Sequence, residues 1–143
     1  MDYHEVVTNS AEETAEVGER LAVNIKGGKI IALTGELGAG KTTFVQGFAR
    51  GLGVPERIVS PTFIIMRSYP TATHQRFYHV DLYRLEENIE KEVENIGLVD
   101  LLNNAESVII IEWAERVMKL LPKDTMHITI ESLGDTQRKI RYE

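Results

Sequence analysis

The chain contains no cysteine in 143 residues. Disulfides, thiolate nucleophiles and zinc–thiolate sites are therefore excluded. Long hydrophobic runs are missing too. None exceeds four residues, far too short for a membrane span, and Val108-Ile109-Ile110-Ile111 reads as a buried strand. The polar, acidic start Met1-Asp2-Tyr3-His4-Glu5 does not resemble a signal peptide, so a cytoplasmic protein is expected. Positive charge is in deficit. Sixteen Lys and Arg face 22 Asp and Glu, a net charge of −6, which argues against a protein that grips a nucleic-acid backbone by itself. No repeat, low-complexity stretch or linker divides the sequence, and its length suits one domain, expected to span 1–143.

What is present is a phosphate-loop pattern. Gly35-Glu36-Leu37-Gly38-Ala39-Gly40-Lys41-Thr42 fits G-x-x-x-x-G-K-[ST] at every fixed position. An apolar, β-branched strand, Lys29–Thr34, precedes it. A helical stretch from Thr43 follows, stopped near Gly51 and Gly53. Strand, glycine loop and helix are the parts such chemistry needs. Gly38, Ala39 and Gly40 let backbone N–H groups turn towards phosphate oxygens, and the helix N-terminus adds partial positive charge. Lys41 would reach the β- and γ-phosphates, and the Thr42 hydroxyl would ligate Mg²⁺.

The rest of the chain reads as alternating helices and strands. A helix capped by Thr8, Asn9 or Ser10 runs to about Asn24 and ends at Lys26-Gly27-Gly28. Strands are expected late in 58–69, over 77–83 and over 107–113. A helix broken near Gly97 covers 86–103, and a short helix over 114–121 is stopped by Pro122. Met126–Ile130 and Arg138–Tyr142 form a final hairpin around Gly134-Asp135. The expected fold is a three-layer α/β, P-loop NTPase-like domain with a mixed, mostly parallel central sheet and a C-terminal hairpin.

Hydrolysis needs more than a phosphate loop. A metal must be held and an attacking water oriented. Glu112 closes the strand Val108–Ile111, where such proteins hold or sense the metal. Direct ligation, ligation through water and activation of water are all compatible with it. Alternation puts His79, Asp81 and Tyr83 on one strand face, which suits Asp81 for binding Mg²⁺ through water or for placing the lytic water. Arg84 could contact phosphate or pair with a carboxylate. His4, His74 and His127 read as structural. Ser60 or Thr62, about 20 residues beyond the loop, could sense the γ-phosphate through a hydroxyl on Mg²⁺. Trp113, beside Glu112, either packs against the site or faces a partner.

Gly35 to Phe44, Ser60-Pro61-Thr62-Phe63, His79-Val80-Asp81-Leu82-Tyr83-Arg84-Leu85 and Ile111-Glu112-Trp113-Ala114-Glu115-Arg116 together resemble the TsaE family, formerly YjeE, over nearly the whole chain. The resemblance implies a small bacterial P-loop ATPase that supports threonylcarbamoylation of adenosine 37 in tRNAs reading codons that begin with A. It implies action on the TsaB–TsaD pair, with tRNA engaged only indirectly and no membrane. ATP and Mg²⁺ would be the ligands. By position, Lys41, Thr42 and Thr43 resemble the phosphate and Mg²⁺ residues, Ser60 and Thr62 the switch-like loop, and Asp81 the catalytic carboxylate. Glu112 resembles the metal carboxylate and Trp113 the tryptophan beside the site. The region Ser10–Thr14, Glu12 included, resembles the part near the base, and the resemblance implies that Glu115 and Arg138 also reach the nucleotide. No arginine finger is evident, so basal hydrolysis is expected to be weak. A small-molecule or nucleotide kinase is the alternative, but no arginine-rich lid is visible. No guanine-reading Asn-Lys-x-Asp element is present.

Overall fold

The computed structural model describes residues 4–25, 28–36, 38–55, 57–58, 66–73, 75–83 and 89–142, with backbone only at 90 and 95. Ser60, Thr62, Arg84 and His74 lie outside the described residues. So do Leu37 of the phosphate loop, Lys26 and Gly27 at the expected helix end, and 86–88 at the expected start of the next helix.

The most apolar strand organises the molecule. Ser107–Glu112 (β5) is buried at all six positions. Val108 and Ile110 enter one hydrophobic cluster and Ile109 and Ile111 the other, on the opposite face of the sheet. A strand covered on both faces reads as a continuous apolar run, and each fully buried Ile contributes about 1.5–3 kcal/mol. Lys29–Thr34 (β2) lies parallel to β5 on one side, and Arg76–Asp81 (β4) lies parallel to it on the other. Met126–Ser132 (β6) runs parallel to β2 on its far side.

Three antiparallel strands complete the sheet. Met66–Pro70 (β3) pairs with β4, Arg138–Tyr142 (β7) with β6, and His4–Thr8 (β1) with β7. The order is β1-β7-β6-β2-β5-β4-β3. Among the described residues β1, β2, β4, β5 and β6 run in one direction, and β3 and β7 oppose them. The sheet is therefore mixed and mostly parallel, with the expected C-terminal hairpin. β1 is an addition to the sequence reading, which gave Thr8 only a capping role.

Ala11–Val23 (α1) and Lys41–Gly51 (α2) cover one face. Val17, Phe44, Val45 and Phe48 pack there on Ile31, Leu33, Phe77 and Ile128. The two helices approach closely, because a Cβ added at Gly47 would lie 1.8 Å from the Ala15 carbonyl oxygen. Ile89–Asn95 (α3), Leu98–Leu102 (α4) and a 3₁₀ segment over Ala114–Leu120 cover the other face, with Val93, Leu98, Ala114 and Val117 in its core. Gly97, at φ 82°, breaks α3 from α4 where the sequence suggested. The short helix after β5 is the 3₁₀ segment, interrupted by non-helical backbone at Val117.

Candidate functional site

Two helices start in opposite ways. α1 has a reciprocal cap: Ser10 Oγ accepts from the Glu13 N–H at 3.1 Å, and the Glu13 carboxylate accepts from the Asn9 N–H at 2.8 Å. α2 has no side-chain cap. Its N-cap is Gly40 at φ 96°, and its first turn carries no acidic residue. Free N–H groups and a positive helix end are thus left facing the loop, which is the arrangement that attracts an anion. Gly38, at φ 78°, also occupies the left-handed region that glycine tolerates.

Lys41 opens α2 and is buried. Its Nζ donates to the Gly35 carbonyl at 2.6 Å and lies 4.0 Å from the centre of the Trp113 ring. Burial pushes the Lys41 ammonium below its ordinary range, while the charges of Glu112, Asp81 and Glu115 pull it back up. Two of those carboxylates stand at the C-terminal ends of parallel strands, and the third follows in the segment after β5. Asp81 ends β4, Glu112 ends β5, and the two are register partners. Glu115 is exposed in the first turn of the 3₁₀ segment.

Asp81 is partly buried and accepts from the Tyr83 N–H at 3.0 Å. Burial pushes its carboxyl up, and the Glu112 charge adds to the effect. The Tyr83 N–H, His79 and Lys41 act in the opposite sense. Glu112 is buried and bonded through Oε2 to His79 Nε2. The face carrying His79, Asp81 and Tyr83 therefore grades from core to surface: His79 is buried, Asp81 half-buried and Tyr83 exposed. The sequence could show the shared face by alternation, but not the contact between His79 and Glu112, which lie 33 residues apart.

Trp113 has the only positive φ, 60°, among the described non-glycine residues. Its ring contacts both Lys41 and Tyr83, whose ring centroid is 5.1 Å away. Backbone in this region costs a bulky L-residue about 1–2 kcal/mol, and such outliers concentrate at functional sites.

Beside the loop is a cleft of about 110 Å³ lined by Ala11, Thr14, Gly40, Thr43, Asp135, Thr136 and Arg138. Thr43 and Arg138 thus sit together there. Arg138 is committed to backbone, with Nη1 donating to Gly134 and Gln137 carbonyls at 2.8 Å and Nη2 to Gly38 O at 3.3 Å. Thr42 is half-buried in the first turn of α2, and Ala39, within the loop, is buried. Glu12 is exposed in the first turn of α1, whereas its neighbours Ala11 and Thr14 line the cleft. The Thr14 hydroxyl is paired with that of Thr8 at 2.7 Å, tying the end of β1 to α1. Thr14 lies in the Ser10–Thr14 region that the resemblance puts near the base, and Asp135 was read only as part of the hairpin turn; Thr136 was not singled out from sequence, and the convergence of the fold brings it to the loop.

The profile of the family described as "Threonylcarbamoyl adenosine biosynthesis protein TsaE" matches residues 8–140. The chain is 38% identical over 135 residues to the tRNA threonylcarbamoyladenosine biosynthesis protein TsaE of Bacillus subtilis, covering 94% of this chain and 82% of that protein. It is 40% identical over 136 residues to the protein of the same name from Treponema pallidum, covering 94% and 96%. A crystal structure of Bacillus subtilis YdiB superposes with a TM-score of 0.77 at 32% identity, over 99% of this chain and 84% of that one. The chain therefore belongs to the TsaE family.

Proposed function

We propose that this protein binds ATP with Mg²⁺ at the loop between β2 and α2, hydrolyses it slowly when alone, and acts on the TsaB–TsaD pair in threonylcarbamoylation of adenosine 37 of tRNA. The observation that carries the reading is the meeting of a buried lysine at an uncapped helix N-terminus with two carboxylates at adjacent strand ends, Asp81 and Glu112. The relatives' names supply the tRNA modification. The net charge of −6 favours work through a protein partner over direct contact with RNA.

The residues fit a nucleotide. The free N–H groups of α2 are matched to phosphate oxygens, and Lys41 is placed to exchange the Gly35 carbonyl for them. They also fit Mg²⁺ shared with phosphate, because the Thr42 hydroxyl in the first turn of α2 and the Glu112 carboxylate at the end of β5 are the hard oxygen donors that Mg²⁺ takes. Thr42 and Glu112 would hold it, with Ser60 or Thr62 as further hydroxyl candidates. Bound there, Mg²⁺ would neutralise charge on the phosphate oxygens during transfer. Lys41 stabilises the same developing charge. Asp81 or Glu112 orients the attacking water. The cleft lined by Gly40, Thr43 and Arg138 would take the rest of the nucleotide, with Glu12 and Glu115 as further candidate contacts.

The test is ATP hydrolysis without and with the TsaB–TsaD pair, using Lys41→Ala as control. Stimulation by the pair that disappears in the variant is the expected result. Absence of both nucleotide binding and stimulation would overturn the reading.

A further inference from the structure

His79 is wholly buried on β4, two residues before Asp81. Packing alone does not call for an imidazole there. Phe77, two positions earlier on the same face, fills the same layer, and the two rings stack with centroids 6.5 Å apart and planes 9° apart. Nor is the ring satisfied by the fold, because Nδ1 has no hydrogen-bond partner among the described residues. A buried polar atom left in that state destabilises the fold. The one polar contact of the ring is Nε2 with Glu112 Oε2, across the β4–β5 boundary. With no acceptor beside Nδ1 among the described residues, the ring hydrogen belongs on Nε2, where it donates to the carboxylate. No other hydrogen bond reaches the Glu112 carboxylate among the described residues. Its second oxygen, Oε1, is thereby left for the site, in the field of Lys41.

We propose that His79 is a positioning residue for Glu112. Its Nε2–H fixes the rotamer of that carboxylate and reserves Oε1 for the metal or its water. The inference rests on the reading of Glu112 as the site's metal or water carboxylate. The physical precedent is general: a group held by hydrogen bonds behind a ligating carboxylate sets its orientation, and its loss costs 10- to 100-fold in metal affinity or activity.

Two measurements test it. The first is ¹H–¹⁵N NMR of the imidazoles in the nucleotide-free full chain, which has four histidines, with His79→Phe for assignment. One ring should carry its hydrogen on Nε2, exchange slowly with solvent, vanish in His79→Phe and shift in Glu112→Gln. A His79 hydrogen on Nδ1, or a signal indifferent to Glu112→Gln, overturns the proposal. This holds even if the protein binds no nucleotide, and if His79→Phe does not fold, His79→Gln supplies the assignment. The second measurement is ADP affinity with and without Mg²⁺, together with kcat and KM for ATP. His79→Phe keeps the stack on Phe77 but removes the donor. It should leave Mg²⁺-free ADP affinity within about twofold, raise the Mg²⁺ concentration needed by roughly tenfold or more, and lower kcat with little change in KM. His79→Gln, whose amide nitrogen can take the place of Nε2, should recover most of the loss. A folded His79→Phe protein with wild-type Mg²⁺ dependence and kcat refutes the role.

Discussion

Replacing Gly47 by alanine tests whether α2 is held against α1 by backbone contact alone. The new Cβ would stand 1.8 Å from the Ala15 carbonyl oxygen and 2.5 Å from its carbon. Reaching ordinary contact requires the helices to part by roughly 1.5 Å. Neither obstacle is the end of a flexible side chain, so the strain belongs at the upper end of the overpacking range, about 3 kcal/mol. Alanine regains about 1 kcal/mol of helix propensity over glycine. The net loss is about 2 kcal/mol, or about 7 °C in Tm for a chain of this size. Gly18→Ala, whose Cβ would meet the Phe44 carbonyl oxygen at 2.4 Å, strikes the same crossing from the other helix. The double variant should therefore cost less than the two single losses together, since the first substitution already separates the helices. Gly134→Ala is the control, with nothing within 4 Å of the added atom, and should stay within about 0.5 kcal/mol. Thermal and urea unfolding followed by circular dichroism read all four. An unchanged or raised Tm in Gly47→Ala would refute the close crossing.

Three further outcomes follow from the site. Thr8→Val should cost about 1–2 kcal/mol by stranding the buried Thr14 hydroxyl, while Thr8→Val with Thr14→Val should be close to neutral in urea unfolding. Asp81→Asn should raise Tm at neutral pH. The folded-state pKa of Asp81 is raised, so the native protein binds the proton more readily than the unfolded chain and ionisation weakens the fold as pH climbs; the gain should disappear in acid below the ordinary Asp range, where the carboxyl is protonated in both states. The single tryptophan, Trp113, should change its fluorescence when ADP draws Lys41 from its ring, and Lys41→Ala should abolish that response at the same ADP concentration.

Legibility in the sequence followed the range of the interactions. The phosphate loop and its flanking strand and helix were readable because all their determinants lie within about 20 residues. β5 was readable because burial on both faces writes an unbroken apolar run. β1 was not. His4–Thr8 is five residues long, sits at the sheet edge, and owes its conformation to pairing with residues 138–142 at the far end of the chain. The joint placement of Asp81 and Glu112 became a geometric statement only once β4 and β5 were in register. The His79–Glu112 bond and the left-handed backbone of Trp113 leave no local trace, since neither alternation nor propensity reports where a distant carboxylate or lysine will stand.

Arg138 lies 100 residues after Gly38 and clasps its carbonyl, while its Nε would stand 3.4 Å from a Cβ at Gly40. This makes the timing of synthesis part of the site's chemistry. A nascent chain that has emerged through α2 already contains the whole phosphate-loop motif, yet it lacks the wall of the cleft and the strand that braces the loop. Nucleotide capture should therefore be deferred until β7 has docked beside β6. A ribosome-bound fragment ending before residue 126 would carry the motif without the pocket, and the earliest-made signature of the sequence would be among the last to become functional.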